Sequence, residues 1–347
     1  MKLTHVLSSV DNSFNFCNTC NGEGFLNKNI SGSIKQVACH YCQGKKIENP
    51  FYYKFIPSQI KFWSHFGIKF IALFIGEEVP HDISQYSDNI ILWNKNLDLK
   101  TAYVGQHLRM YYPSLLNLPD DELVMITDMD MLPVNIDYFT RGLDKFNTQD
   151  FLHYRNISYN QVFMCYNAAH PTVWSNIFNI KSENDIVESL YQGYNSNYQG
   201  LLNNLWYSDQ SLLFNKLTKY PNLKMLGRNP RRLEYDSYEF HLRKNTEIFF
   251  QDFDDAHFHR RYDLHKWMIE DLWNQFTGKI DVDIRKIALK EIEIDYLKAD
   301  YYKEFDIDKK NILKEKIYQE ISILTSLKGF IPGQLPNISQ DFFEQEI

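Results

Sequence analysis

Apolar positions along the chain group into short runs and helical stripes. Leu3 to Ser9 is a short run with alternating polar residues that leads into the turn formers Ser8 to Ser13, which predicts a first strand. Ile56, Ile60, Trp63 and Phe66 recur at helical spacing, with Pro57 early and Gly67 just past the end, and predict a helix. Ile68 to Ile75 reads as a buried strand, Asn89 to Trp93 as a shorter one, Thr101 to Leu116 as a helix, and Leu123 to Thr127 as another apolar strand. This order of elements predicts an open α/β sheet. In such sheets ligands sit beyond the carboxyl ends of the strands.

The second half is less regular. Phe151 to Tyr154 and Gln161 to Tyr166 are candidate strands, and Pro171 to Phe178 and Trp206 to Leu217 candidate helices. From Asp281 to Leu327, Ile, Leu and Tyr at helical spacings among charges predict one or two amphipathic helices. With 347 residues, 44% hydrophobic and 23% charged, the chain has ample material for a core without disulfides. A net charge of -7 argues against a nucleic-acid partner and a generally basic membrane-binding surface. No apolar stretch approaches membrane-spanning length, and Met1 to His5 leads into a mixed segment rather than an apolar signal core. A soluble, cytoplasmic protein with no integral membrane segment is expected.

Four of the five cysteines lie in two CxxC pairs, Cys17/Cys20 and Cys39/Cys42, within CNTCNGEG and CHYCQGK. Two turns presenting two thiolates each complete a tetrahedral shell, so a structural Zn2+ site is expected. A redox dithiol or an unmetallated loop is the alternative for the same residues. Cys165 stands alone in an apolar run and reads as core. The CxxCxGxG wording resembles one module of the DnaJ-type zinc finger, although the second pair continues Gly44-Lys45-Lys46 without the last glycine. That resemblance implies a small inserted zinc-binding module and hints at protein binding. The expected organisation is one domain from 1–13 and 51–275, an inserted module at 14–50, and a helical region at 276–347.

Asp128 and Asp130 follow the strand at Leu123 directly and precede Met131-Leu132-Pro133. Alternate residues of an extended segment point the same way, and two such acids repel unless a cation lies between them. Hard oxygen ligands suit Mn2+ or Mg2+, with a diphosphate completing the shell. The alternative is a pair of solvated turn acids, with Asp130 capping the turn before Pro133.

At this point the chain resembles the nucleotide-sugar-dependent glycosyltransferases of the GT-A fold, over most of Met1 to about Trp267 apart from the cysteine segment. The most specific stretches are Gln106-His107-Leu108-Arg109-Met110-Tyr111-Tyr112-Pro113 and Val124-Met125-Ile126-Thr127-Asp128-Met129-Asp130-Met131-Leu132-Pro133. The resemblance implies a Rossmann-like open sheet flanked by helices, with Asp128 and Asp130 holding Mn2+ (or Mg2+) and the donor diphosphate. A third metal ligand is expected far along the chain, His257 first and His259 as alternate, with Arg260 or Arg261 near the leaving diphosphate. Arg109, with Gln106 one turn earlier, is expected to face the donor together with Thr127. By the same resemblance Ser8 and Ser9 are expected to meet the nucleoside, with plain turn residues as the alternative. Asn167 follows Tyr166 after a strand and is a candidate for the sugar ring. Asp209, in the Asp209-Gln210 pair at a predicted helix start, is the candidate catalytic residue on the acceptor side. Trp174 and Trp206 are candidates for an acceptor platform.

The expectation is a metal-dependent glycosyltransferase that moves a sugar from a nucleotide-diphosphate donor, a UDP-sugar first, onto a hydroxyl of a glycan or protein acceptor. The competing reading is a non-catalytic protein that keeps the fold and binds a protein partner through its zinc finger. Nucleotidyl transfer is disfavoured, because Ser8 to Ser13 contains no Lys or Arg to hold a triphosphate.

Overall fold

The computed structural model describes residues 1–11, 15–16, 25–30, 33–38, 47–48, 52–156, 162–198, 207–244, 248–258, 262–279, 281–304 and 306–328. The chain divides into two compact units, one built from 1–13, 50–237 and 249–262, the other from 14–49, 238–248 and 263–347.

The chain opens with β1 (Lys2–Asp11). Four short strands follow, β2 (Asn15–Phe16), β3 (Phe25–Ile30), β4 (Ser33–Ala38) and β5 (Ile47–Glu48). β3 and β4 form an antiparallel hairpin, and β2 pairs antiparallel with β5. Each CxxC segment therefore connects the outer pair to the inner hairpin, 17–24 on the way in and 39–46 on the way out. The cysteines themselves, with His259, Arg260, Arg261 and Trp206, lie outside the described residues.

The first unit continues with α1 (Ile56–His65), β6 (Lys69–Ile75), β7 (Ile90–Trp93), α2 (Thr101–Tyr111), β8 (Glu122–Ile126) and β9 (Met131–Pro133). Then come α3 (Ile136–Thr140), β10 (Phe151–His153), β11 (Asn167–Ala169), α4 (Pro171–Phe178), α5 (Glu183–Tyr198), α6 (Ser208–Leu217), β12 (Leu223–Met225) and β13 (Arg232–Glu234). Helix α7 (Tyr235–Lys244), β14 (Asp255–His257) and α8 (Tyr262–Phe276) complete the path to the last two helices.

A seven-stranded sheet runs in the order β12-β10-β11-β8-β1-β6-β7. β1 is parallel to both β6 and β8, β6 is parallel to β7, and β11 is antiparallel to its two neighbours. The continuous apolar run of β6 follows from its place inside a parallel sheet, where both faces are covered; Phe70 to Ile75 are all buried. The chain moves outward from β1 to β7 and then returns through α2 to the other side of β1. That reversal makes the carboxyl ends of β1 and β8 the crevice where ligands bind in open sheets. Thr127 N extends the pairing there by donating to Leu7 O at 3.0 Å.

The helix predicted around Trp63 has Pro57 in its first turn and Gly67 beyond its end at φ 71, a left-handed conformation that glycine adopts without a Cβ clash. Its inward face is Ile56, Gln59, Phe62 and Trp63, so a glutamine occupies a position in the buried stripe. The α-helix expected to run to Leu116 ends at Tyr111 and continues as a 3-10 turn over Tyr112–Leu115, because Pro113 cannot donate a backbone hydrogen bond. The strand expected at Gln161 to Tyr166 lies instead at Asn167–Ala169. Tyr166 sits at φ 68, outside any strand conformation, and the Asn167 side chain ties back the carbonyls of Phe163 and Met164, at 2.8 and 2.9 Å. Trp174, a candidate acceptor platform, is fully buried and packs edge-on against Phe151 at 4.9 Å.

In the second unit, the amphipathic stretch from Asp281 forms two helices, α9 (Val282–Lys303) and α10 (Ile307–Lys328). Asp281 caps α9 by accepting from the Asp283 and Ile284 amides at 3.0 and 3.1 Å, and Asp306 does the same for Asp308 and Lys309. Lys290 pairs with Glu320 at 2.7 Å and Lys328 with Glu291, while Tyr301 and Ile317 are buried together, so the helices run antiparallel. No helix among the described residues is long and apolar enough to cross a membrane.

Candidate active site

The residues that follow β8 leave the sheet at its centre. Asp128 and Asp130 lie at the carboxyl end of β8, beside the end of β1, because β1 and β8 are parallel neighbours in register from Leu7 to Ile126. Ser8, near the same end of β1, is fully buried, and its Oγ has no hydrogen-bond partner among the described residues. Ser9 Oγ donates to the carbonyl of Gly105, which ties β1 to α2. Thr127 is fully buried between them.

Helix α2 delivers Arg109 over this end of the sheet. One terminal nitrogen, Nη1, binds Asp128 Oδ1, and the other, Nη2, donates to Asp209 Oδ2 at 2.8 Å. Asp209 stands in the first turn of α6 and is 1% exposed; its second oxygen accepts from the Gln210 amide at 2.8 Å. Burial disfavours the charged guanidinium, but Asp128 and Asp209 outweigh it and hold the Arg109 pKa above its ordinary value. The arginine is a fixed cation between two carboxylates, and its Nε, buried, has no hydrogen-bond partner among the described residues.

A second sheet, in the order β13-β14-β9, brings His257 to the same place. Met131 pairs with His257 across the antiparallel β9 and β14, so the imidazole lies beside Asp130, with Nε2 at 3.6 Å from Asp130 Oδ2. On its other side, Nδ1 meets Glu234 Oε2 at 2.8 Å, because Glu234 and His257 are register partners on parallel strands. Burial works against the imidazolium, but Asp130 and Glu234 raise the His257 pKa to about 9. Tyr52 reaches the same Asp130 oxygen from a 3-10 turn, at 3.4 Å.

The small sheet is anchored by a buried network. Arg232 binds Asp255 through two nitrogens, at 2.9 and 2.7 Å, and Tyr166 OH donates to the same carboxylate at 2.6 Å. Asp255 and Tyr166 are both fully buried. Tyr166 thereby joins β14 to the end of β8, where its own amide donates to Ile126 O at 2.9 Å. A bulky residue at positive φ stores backbone strain, and the three-group network supplies the restraint that holds it.

Of the residues named from sequence, Ser8, Ser9, Arg109, Thr127, Asp128, Asp130, Asp209 and His257 converge on one crevice, whereas Asn167 is engaged inside the fold. Its Oδ1 meets His153 Nδ1 at 2.6 Å, its amide nitrogen holds the two carbonyls of the preceding turn, and the residue is fully buried. Glu234, Tyr52, Gln59 and the Arg232–Asp255–Tyr166 network escaped the sequence reading. The strands that carry Glu234 and His257 have three residues each, too few to show a period. Gln59 did leave a trace, as a polar residue in the helical stripe of Ile56 and Trp63.

As a cation site, the crevice holds a carboxylate and an imidazole whose ligand atoms lie at a separation suited to adjacent positions around one ion. The imidazole is backed at Nδ1 by a carboxylate, the usual outer arrangement for a metal-binding histidine. This donor chemistry fits Mn2+ or Mg2+ in the mode where two protein groups share the ion with phosphate oxygens and water. Asp128 is committed to Arg109, and among the described residues no three His, Cys, Asp or Glu side chains are arranged to hold a metal ion.

No protein-family model matches the chain, and no curated protein matches it. Among solved structures, 78% of the chain aligns with the whole of one described as "crystal structure of a glycosyltransferase involved in the glycosylation of the major capsid of PBCV-1", at 9% identity and a TM-score of 0.35. At that similarity, what the crevice does has to be read from its own side chains.

Proposed function

We propose that the protein is a glycosyltransferase that takes a sugar from a nucleoside-diphosphate donor and passes it to an acceptor hydroxyl. The observation that carries this reading is the placement of two acid-centred pairs, Arg109–Asp128 and Asp130–His257, side by side at the carboxyl ends of β1 and β8. A dianionic leaving group needs fixed positive charge on one side and a cation-binding carboxylate on the other, and the crevice offers both.

In this reading the nucleoside lies over the carboxyl end of β1 at the half-buried Ser9, with the fully buried Ser8 and Thr127 beneath that surface. Asp130 and His257 would hold Mn2+ or Mg2+, which when bound offsets the charge that develops on the leaving diphosphate. Glu234 keeps the His257 ring oriented by accepting from Nδ1. Arg109 holds Asp128 and sets its positive charge beside the place of the diphosphate. Asp209 is assigned to holding Arg109, since both its oxygens are engaged and it is 1% exposed, which keeps it from meeting an acceptor directly. As the anomeric carbon–oxygen bond to diphosphate breaks, the new bond forms to the acceptor oxygen, whose proton passes to an oxygen of the departing diphosphate.

For the four cysteines the reading remains a structural Zn2+ site formed by Cys17, Cys20, Cys39 and Cys42. Besides the spacing, it is supported by the strand pairing, since both CxxC segments link the same two pairs of strands.

The test is hydrolysis and transfer with UDP- and GDP-sugars in Mn2+, with CMP-sugars as the control that carries no diphosphate. The native chain is compared with the Asp128→Ala, Asp130→Ala double variant. Donor turnover that disappears in the variant is expected; equal turnover in both rules the reading out.

A further inference from the structure

Gln59 is fully buried on α1 and takes no part in the roles above. Its side-chain nitrogen donates to the carbonyls of Met129 and Met131, at 2.7 and 2.8 Å, and lies 3.5 Å from that of Asp128. Its Oε1 accepts from the Trp63 indole N–H at 3.0 Å. An indole nitrogen can only donate, so Trp63 fixes which end of the amide is which and aims both N–H groups at the loop. Trp63 is itself immobilised, fully buried with its ring edge-on to Phe139 at 4.9 Å.

The acid loop has left the ladder of β8, so its carbonyls need other partners. Phe258 N donates to Asp130 O at 3.0 Å, and Met131 N to Asp128 O at 3.4 Å. Gln59 supplies the partners for the carbonyls on either side of Asp130. With the flanking peptides held, the Asp130 side chain is directed to His257 and the Asp128 side chain to Arg109.

We propose that Gln59 is the positioning residue of the Asp128–Met129–Asp130 loop, setting the direction of both acids from beneath. The assignment rests on the glycosyltransferase reading only in what the loop is for; the clamp itself is independent of it. The full-length protein is compared with Gln59→Met, which keeps the volume and removes the donors, and with Trp63→Phe, which leaves Gln59 but frees its orientation. Hydrogen exchange of residues 127–134 without metal reads the loop, and a titration with Mn2+ alone, followed by electron paramagnetic resonance, reads its consequence.

Gln59→Met should raise exchange at 127–134 roughly tenfold while β6 and β8 stay protected. It should also weaken Mn2+ binding by about tenfold or more, the usual effect of losing a residue that orients metal ligands. Trp63→Phe should move both readouts the same way by less. Unchanged exchange at 127–134 in folded Gln59→Met overturns the proposal; if that variant does not fold, unchanged exchange in Trp63→Phe overturns it. A native protein that ignores Mn2+ while Gln59→Met still loosens the loop would uphold the clamp and remove the metal reading.

Discussion

Arg109 and Asp209 form an ion pair of 2.8 Å in which the carboxylate is 1% exposed and the arginine side chain 12%. Taking one partner away strands the other without water, which costs more than the pair itself contributes. Arg109→Ala should therefore destabilise the protein by about 3–5 kcal/mol, the range for breaking a buried pair. Asp209→Asn, which keeps an acceptor oxygen, should cost less. Urea unfolding of both variants checks the order, and an Arg109→Ala loss below that of Asp209→Asn contradicts it.

Tyr166 OH and Arg232 share the Asp255 carboxylate. Tyr166→Phe removes one hydrogen bond to a charged acceptor that Arg232 still neutralises, so the expected loss is about 1.5–3 kcal/mol, measured by thermal or urea unfolding. Arg232→Met should cost more, because it leaves Asp255 buried and unpaired. Equal losses would mean that Asp255 does not depend on Arg232 for its charge.

His107 and His153 are both buried, and burial lowers the pKa of each below its ordinary 6.5. In the unfolded chain both take up a proton as pH falls through 6.5, while the folded chain resists it. The stability they allow at neutral pH is lost as pH falls below 6.5. His257, raised to about 9, works in the opposite sense over the same range, so the readout is the difference between variants: from pH 7.5 to 5.5 the denaturant midpoint of His107→Phe should fall less, or rise more, than that of the native chain. A midpoint slope unchanged by the substitution assigns the effect elsewhere.

Zinc analysis of the purified native chain should find equimolar metal, and Cys17→Ser or Cys39→Ser should reduce it. Loss of metal from a small module is loss of its folding energy, so proteolysis within 14–50 should accelerate in the variants. Cysteine variants that keep full zinc would discard the site.

The sheet was legible because β6 and β8 are nearly continuous apolar runs and the amphipathic helix before β6 carries two punctuation residues, Pro57 and Gly67. Asp128 and Asp130 were legible because they follow such a strand without an intervening residue beyond Thr127. His257 was named from the resemblance alone; its three-residue strand carries no pattern, and its neighbours Asp130 and Glu234 come from other parts of the chain. Tyr166 was misread as strand because an apolar run says nothing about the sign of φ, and its left-handed backbone is held by Asp255, far along the chain. Asp209 was correctly placed at a helix start, yet its pairing with Arg109 depends on how α2 and α6 pack. Gln59 shows the same limit, since its partners are backbone carbonyls, which leave no mark on the identity of the residues that supply them.

Calorimetric binding of UDP and GDP to the native chain and to Asp130→Ala, each with and without Mn2+, tests the donor site most directly. Nucleotide binding should require Mn2+ in the native protein and weaken at least about a hundredfold in Asp130→Ala. Binding that ignores Mn2+, or that survives unchanged in the variant, would contradict a metal-dependent donor site.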